Sequence, residues 1–252
     1  MKFYFTSSNS PDAIKAKNKF IKRYGQTNAK KADYLIPIGG DGFLLKSLHD
    51  FSNLKKPFFG INYGSVGFLM NTIKKENINK VIKNAKKTQF KPLKMEATNL
   101  SDKKFKSIAY NEVSLMRQTH LATKVQIKIN KIIRMKELIC DGVLVATSAG
   151  STAYNLSAHG SILPLNSKLL ALTPVSAFRP RRWKGALINE SNAIEFKVVY
   201  SKERPASVTA DNIEFRNIKS VKVYSTKEKS CEVLFDSNHS MEDKILNEQF
   251  DF

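Results

Sequence analysis

Two cysteines in 252 residues, Cys140 and Cys231, are too few and too far apart to build a disulfide framework. Neither has a second Cys or a His at metal-ligand spacing, so no zinc site is expected either. A reducing, cytoplasmic compartment suits such a chain. No run approaches the roughly 18 apolar residues of a membrane-spanning helix, and Met1 to Ser10 carries no apolar stretch behind a basic one. A membrane protein or a removed leader is therefore not expected. Acidic residues are scarce, 22 against 42 basic ones, which leaves a formal charge of +20. Arginine is scarce too: eight Arg stand beside 34 Lys, and the lysines are scattered through the chain next to Asn and Ile. A dispersed excess speaks to solubility and weak anion attraction, whereas a nucleic-acid site concentrates its charge on one element. No GxxxxGK[ST] loop and no GxGxxG fingerprint is present. His49, His120, His159 and His239 form no nucleophile or metal pattern, and no carboxylate cluster marks a protein-built magnesium cage.

What is present divides by period. From Lys2 to about Lys91 short apolar runs alternate with helical stretches, the pattern of βαβ units. Strands are expected at 2–6, 33–38 and 58–62. Ser10-Pro11-Asp12 predicts a helix start and Gly25 its end, while Leu44, Leu45, Leu48 and Phe51 recur at helical spacing, as do Ile78, Val81, Ile82 and Ala85. After Pro92 the period falls to two, as in Val125, Ile127 and Ile129 or Ile194, Phe196 and Val198. Strands are expected near 106–117, 123–130, 137–147, 185–190, 193–200, 206–215, 218–225 and 231–235, with a short helix at 151–158. The fold class is thus an α/β N-terminal domain, 1–91, plus a β-rich, sandwich-like C-terminal domain, 92–234. The tail 235–252 is expected to pack back on the first domain. Junctions between such domains are favoured places for pockets.

Three stretches carry chemistry. Gly39-Gly40-Asp41-Gly42 lies between a strand and a helix, where glycine permits positive φ and close backbone approach, and the helix N-terminus attracts phosphate. A carboxylate is repelled by a phosphate, so Asp41 reads either as a general base or as a helix cap. Asp141 to Ser157 is an apolar strand running into small hydroxyl and glycine residues, with Ser151 or Thr152 able to cap a helix and Ala149 and Ala153 leaving room for a planar base. Asn111-Glu112 is a polar pair in a strand, whose neighbours face opposite ways.

In this order, the GGDG loop, the Asn-Glu pair and the DG…T..GSTAY stretch resemble the NAD kinase family over most of the chain. The resemblance implies a smaller α/β domain and a larger β-rich domain with the active site between them. It implies phosphoryl transfer from ATP or polyphosphate to the 2′-hydroxyl of the adenosine ribose of NAD, with donor-bound magnesium and a homodimer or homotetramer. Asp41 matches the proton acceptor, and Gly39, Gly40 and Gly42 its loop. Asn111 and Glu112 match the NAD-contacting pair. Asp141, Ala149 and the run Thr152, Ala153, Tyr154, Asn155, Leu156 and Ser157 match positions that hold the dinucleotide, and Asp211 matches an aspartate near the substrate. Phe43 stands where many members have Thr, and Ala149 where some have Ser or Thr. The arginines of Arg179-Pro180-Arg181-Arg182 suit phosphate oxygens or a plain surface loop. A related lipid or sugar-phosphate kinase and a basic nucleic-acid binder are the alternatives.

Overall fold

The structure, a computed structural model, describes residues 1–64, 67–73, 77–181 and 183–237. The chain forms two compact units, 1–90 with 229–252 and 91–228.

The first unit opens with β1 (Phe3–Ser7), α1 (Pro11–Tyr24), β2 (Tyr34–Gly39), α2 (Asp41–Phe51), β3 (Ile61–Asn62), α3 (Ile78–Asn84) and β4 (Lys86–Phe90). α1 starts and stops where local chemistry dictates. Ser10 accepts from the Ala13 amide at 3.3 Å, Pro11 sits in the first turn, and Gly25 at φ 77 donates to Ile21. β1, β2 and β3 are parallel neighbours. Their apolar residues Phe3, Phe5, Ile36, Ile38 and Ile61 are buried with Ala13, Ala16, Val81 and Ile82 of the helices, and each buried large side chain contributes about 2 kcal/mol.

The second unit comprises β5 (Leu93–Asn99), β6 (Lys104–Ala109), β7 (Glu112–Arg117), β8 (Thr123–Ile129), β9 (Ile132–Cys140), β10 (Gly142–Ala146), α4 (Tyr154–Ser157), β11 (Leu169–Val175), β12 (Ala186–Asn189), β13 (Ile194–Val199), β14 (Ala206–Ala210), β15 (Ile213–Phe215) and β16 (Ile218–Ser225). Two six-stranded sheets result, in the orders β12-β11-β10-β7-β14-β15 and β6-β5-β16-β13-β8-β9. Alternation puts Val113, Leu115, Val143, Val145 and Val208 of the first sheet into one core with Met95, Val125, Ile127, Phe196 and Val221 of the second. This is the expected sandwich. On the other face of the second sheet the register aligns Lys106, Glu96, Lys222, Glu195 and Lys128 in one row across five strands, alternating in sign.

The last strand, β17 (Cys231–Phe235), was expected in the second domain but pairs antiparallel with β4 of the first unit. Asn71 fixes this return. Its amide donates to Gly60 at 3.0 Å and Leu234 at 2.9 Å, and its oxygen accepts from the Asp236 amide at 2.8 Å. β4, β5 and β11 were not anticipated, and the third expected strand is shortened to Ile61–Asn62, with Phe58 joined by single bridges to Leu35 and Val233. The expected strand 106–117 is broken at Tyr110-Asn111, and 137–147 is two strands. Most of the tail expected on the first domain lies outside the described residues.

Candidate functional site

In the first unit the GGDG segment is where β2 gives way to α2. Gly40 is the N-cap with φ −101, and Asp41 is the first helical residue. The glycines are not there for positive φ, because among the described glycines only Gly25 and Gly185 adopt it. Gly39 is there for space: a Cβ would stand 3.0 Å from that of Phe43 and 3.2 Å from Ser8. At Gly42 a Cβ would meet nothing within 4 Å, so the fold alone does not require glycine.

Asp41 does not cap its helix, as the structural alternative expected. Its carboxylate reaches across to the loop after β3 and accepts the Phe68 amide at 2.9 Å and the Leu69 amide at 3.0 Å. The same loop is drawn in by Asn62, which accepts the Gly64 amide at 3.0 Å and lies where a Cβ on Gly67 would fall. The carboxylate is thereby fixed in direction beside the first turn of a helix, whose early amides have no intrahelical acceptor.

In the second unit, Asn111 precedes β7 and Glu112 opens it, so they are not the two opposed residues of one strand. Their segment is held from two sides. Asp211, at φ 51 in the turn from β14 to β15, accepts the amides of Tyr110 at 2.7 Å, Asn111 at 2.9 Å and Glu112 at 3.3 Å. Just beyond β10, the Thr147 amide donates to the Asn111 carbonyl at 2.9 Å, and the Thr147 hydroxyl donates to the Tyr110 carbonyl at 2.6 Å while accepting the Gly150 amide at 3.0 Å. A Cβ on Gly150 would lie 2.3 Å from the Asn111 carbonyl oxygen, so glycine is demanded there by backbone contact. Asn111 Oδ1 and Glu112 Oε2 are buried and meet no hydrogen-bond donor among the described residues. Buried acceptors of this kind call for one. Burial, and then the charge of Asp211, push the Glu112 carboxyl up to about 7.

The segment from Ala149 begins with a 3₁₀ turn, Ala149–Thr152, and ends with α4. The expected hydroxyl cap is absent: Ala153 is the N-cap of α4, and Ser151 instead donates to the Ser148 carbonyl at 2.8 Å and accepts the Leu163 amide at 3.0 Å. Tyr154 packs on the cluster of Leu144, Ala146, Leu163 and Ala171, and its hydroxyl lies 3.5 Å from the Met116 sulfur. Burial, Glu112 and Asp141 raise its pKa, in that order. Asp141 accepts from Arg117 Nε at 2.6 Å. Asn155 is fully buried, donating to the Ser161 and Ser151 carbonyls and accepting from Thr173 at 2.7 Å, so its amide serves the turn itself. Thr152, Ala153 and Leu156 are half-buried and Ser157 is exposed. Arg117, Met116 and Thr147 were not picked out from the sequence; only Thr147 stood within a recognised stretch. The guanidiniums of Arg179 and Arg181 lie over the Phe178 ring, 5.7 and 5.3 Å from its centre, and Arg182 is outside the described residues. Among the described residues no three His, Cys, Asp or Glu side chains gather as a metal site, and no helix is long and apolar enough to cross a membrane.

Residues 3–90 match the model of the ATP-NAD kinase N-terminal domain and residues 110–229 that of the ATP-NAD kinase C-terminal domain. An NAD kinase of Brucella suis biovar 1 is 45% identical over 247 residues, covering 98% of this chain and 96% of that protein. One of Rickettsia bellii is 47% identical over 244 residues, covering 97% and 93%. Among solved structures, yeast NADH kinase complexed with NADH shares the fold with a TM-score of 0.86 at 21% identity, over 100% of this chain and 88% of that one. An Archaeoglobus fulgidus NAD kinase in complex with ATP does so with a TM-score of 0.75 at 23% identity, over 98% of each. With both domain models matched in order and near-half identity to whole relatives, the chain belongs to the NAD kinase family.

Proposed function

We propose that this protein makes NADP by moving a phosphoryl group from ATP or polyphosphate to the 2′-hydroxyl of the adenosine ribose of NAD, with Asp41 as the proton acceptor. NAD kinase activity follows from family membership. The part played by Asp41 rests on one observation: its carboxylate is aimed by two backbone amides and not spent on capping α2. As the 2′-oxygen attacks the terminal phosphorus, its proton passes to Asp41, the new O–P bond forms, and the bond to the donor's bridging oxygen breaks, so the electron pair leaves with the shortened donor. Gly39, Gly40 and Gly42 let phosphate oxygens approach the backbone at the start of α2. Asn111 Oδ1 and Glu112 Oε2, short of donors, take hydroxyl or amino hydrogens of the dinucleotide. Ala149, Thr152, Ala153, Tyr154, Leu156 and Ser157 border that place, Asp141 steadied by Arg117 lies at its edge, and Asn155 holds the turn. Magnesium, which neutralises phosphate charge when bound, would arrive on the donor, held mainly by phosphate oxygens and water; among the described residues no three His, Cys, Asp or Glu side chains gather as a cage. We place the enzyme in the cytoplasm as a homodimer or homotetramer.

The test is direct. Purified protein incubated with NAD, magnesium and either ATP or polyphosphate should yield NADP, detected by an NADP-specific dehydrogenase. No NADP with any donor, from folded protein that binds NAD, overturns the assignment.

A further inference from the structure

We propose that Asp211 is a positioning residue: resting on the reading above, it acts on the dinucleotide through the Tyr110-Asn111-Glu112 backbone, which it holds so that Asn111 Oδ1 and Glu112 Oε2 face the ligand. Three adjacent amides converge on one carboxylate, at 2.7, 2.9 and 3.3 Å. Three successive N–H groups point the same way only in a sharply bent segment, and this bend is what interrupts the expected strand between β6 and β7. The clamp is reciprocal, since the Asp211 amide donates back to the Glu112 carbonyl at 3.1 Å. Asp211 can do this because the turn that carries it puts the residue at φ 51, a conformation Asp and Asn tolerate better than most. The opposite side of the segment is closed by Thr147 and by the Gly150 contact, so the two orphan acceptors are fixed in direction.

The same clamp has an electrostatic consequence. Asp211 brings a negative charge up to Glu112, and burial and that charge together favour the protonated acid. Glu112 opposes the ionisation of Tyr154 of α4, as does Asp141, whose own charge is met by Arg117. Ligand hydrogens that bond to Glu112 favour its anion, so NAD should bind more tightly as pH rises towards about 7 and then level off. Asp211 therefore fixes where the acceptors point and adds its charge to the burial that delays the ionisation of Glu112.

Asp211→Asn keeps the turn preference but replaces one acceptor oxygen by an NH₂ that faces an amide, and it removes the charge. Binding of NAD without donor, measured by titration calorimetry from pH 5.5 to 8.5, should weaken by about tenfold at pH 8. The pH at which affinity levels off should move down. Turnover at saturating NAD should change far less than KM. Glu112→Gln should abolish the pH step, and in that background Asp211→Asn should weaken binding less than it does alone. Wild-type affinity and an unmoved step in folded Asp211→Asn overturn the proposal. So does a pH step that survives Glu112→Gln, a result available even if Asp211→Asn does not fold. A wild-type protein that binds no NAD at all would instead overturn the function.

Discussion

Asp41 takes on a task that neither reading of its sequence named. A cap and a base were the options its sequence offered, and the structure gives a third structural task, the anchoring of Phe68 and Leu69. Asp41→Asn consequently does more than delete a proton acceptor: one of its two amide-accepting oxygens becomes a donor facing a donor. A folded Asp41→Asn protein should lose on the order of 10² to 10⁴ in kcat, with NAD affinity little changed. Its melting should report an added loss of about 1–3 kcal/mol from the broken loop contact. Near-normal turnover would leave Asp41 with the loop alone. Glu112 and Asn111, by contrast, could be named from sequence, but their orphaned acceptors could not, since these depend on the bend that Asp211 and Thr147 impose. Nothing local in Val208-Thr209-Ala210-Asp211 tells that its carboxylate closes on residues about a hundred positions earlier.

At the scale of elements, what local pattern governs was legible. The Ser10 cap, the Gly25 stop and the period-two strands β8, β13 and β16 stand close to where they were expected. β11 was missed because it is buried almost throughout and reads as an apolar run, Leu169 to Leu172, followed by Thr173 and Pro174, without alternation. β5 does alternate, but its small Ala97 and the charged Lys94 and Glu96 dilute the signal. The two glycine-containing turns separate into different kinds. Gly150→Ala drives a Cβ into the backbone of Asn111 and should lower stability by about 2 kcal/mol or more and weaken NAD binding with it. Gly42→Ala adds a Cβ in open space on a helix, so melting should hold or rise by up to about 1 kcal/mol. If Gly42 is there for phosphate, donor KM should still rise; unchanged kinetics would remove it from the phosphate site.

Over the whole molecule, the charge of +20 is less directed than its size suggests. The row Lys106, Glu96, Lys222, Glu195 and Lys128 sets lysines between glutamates on one sheet face, an arrangement that satisfies charge within the surface and does not lay a continuous basic track. NAD should therefore stabilise the protein as a pocket ligand does, by roughly 2.7 kcal/mol at a hundredfold excess over Kd, while AMP does so weakly. Differential scanning calorimetry with heparin is the control, and an equal shift from heparin would mean that bulk charge is being measured. A further architectural feature hidden from the sequence was the destination of the strand Cys231–Phe235. Cys231–Phe235 looks like any other strand, and its pairing with β4, its bridge to Phe58 and the Asn71 bonds to Leu234 and Asp236 assign it to the first unit. That return makes the unit carrying Asp41 discontinuous, with all of 91–228 inserted between its parts. On the ribosome the consequence is an inverted schedule: the inserted sandwich has its whole sequence available first, and the unit begun earliest must wait for the chain's closing stretch before its sheet is complete.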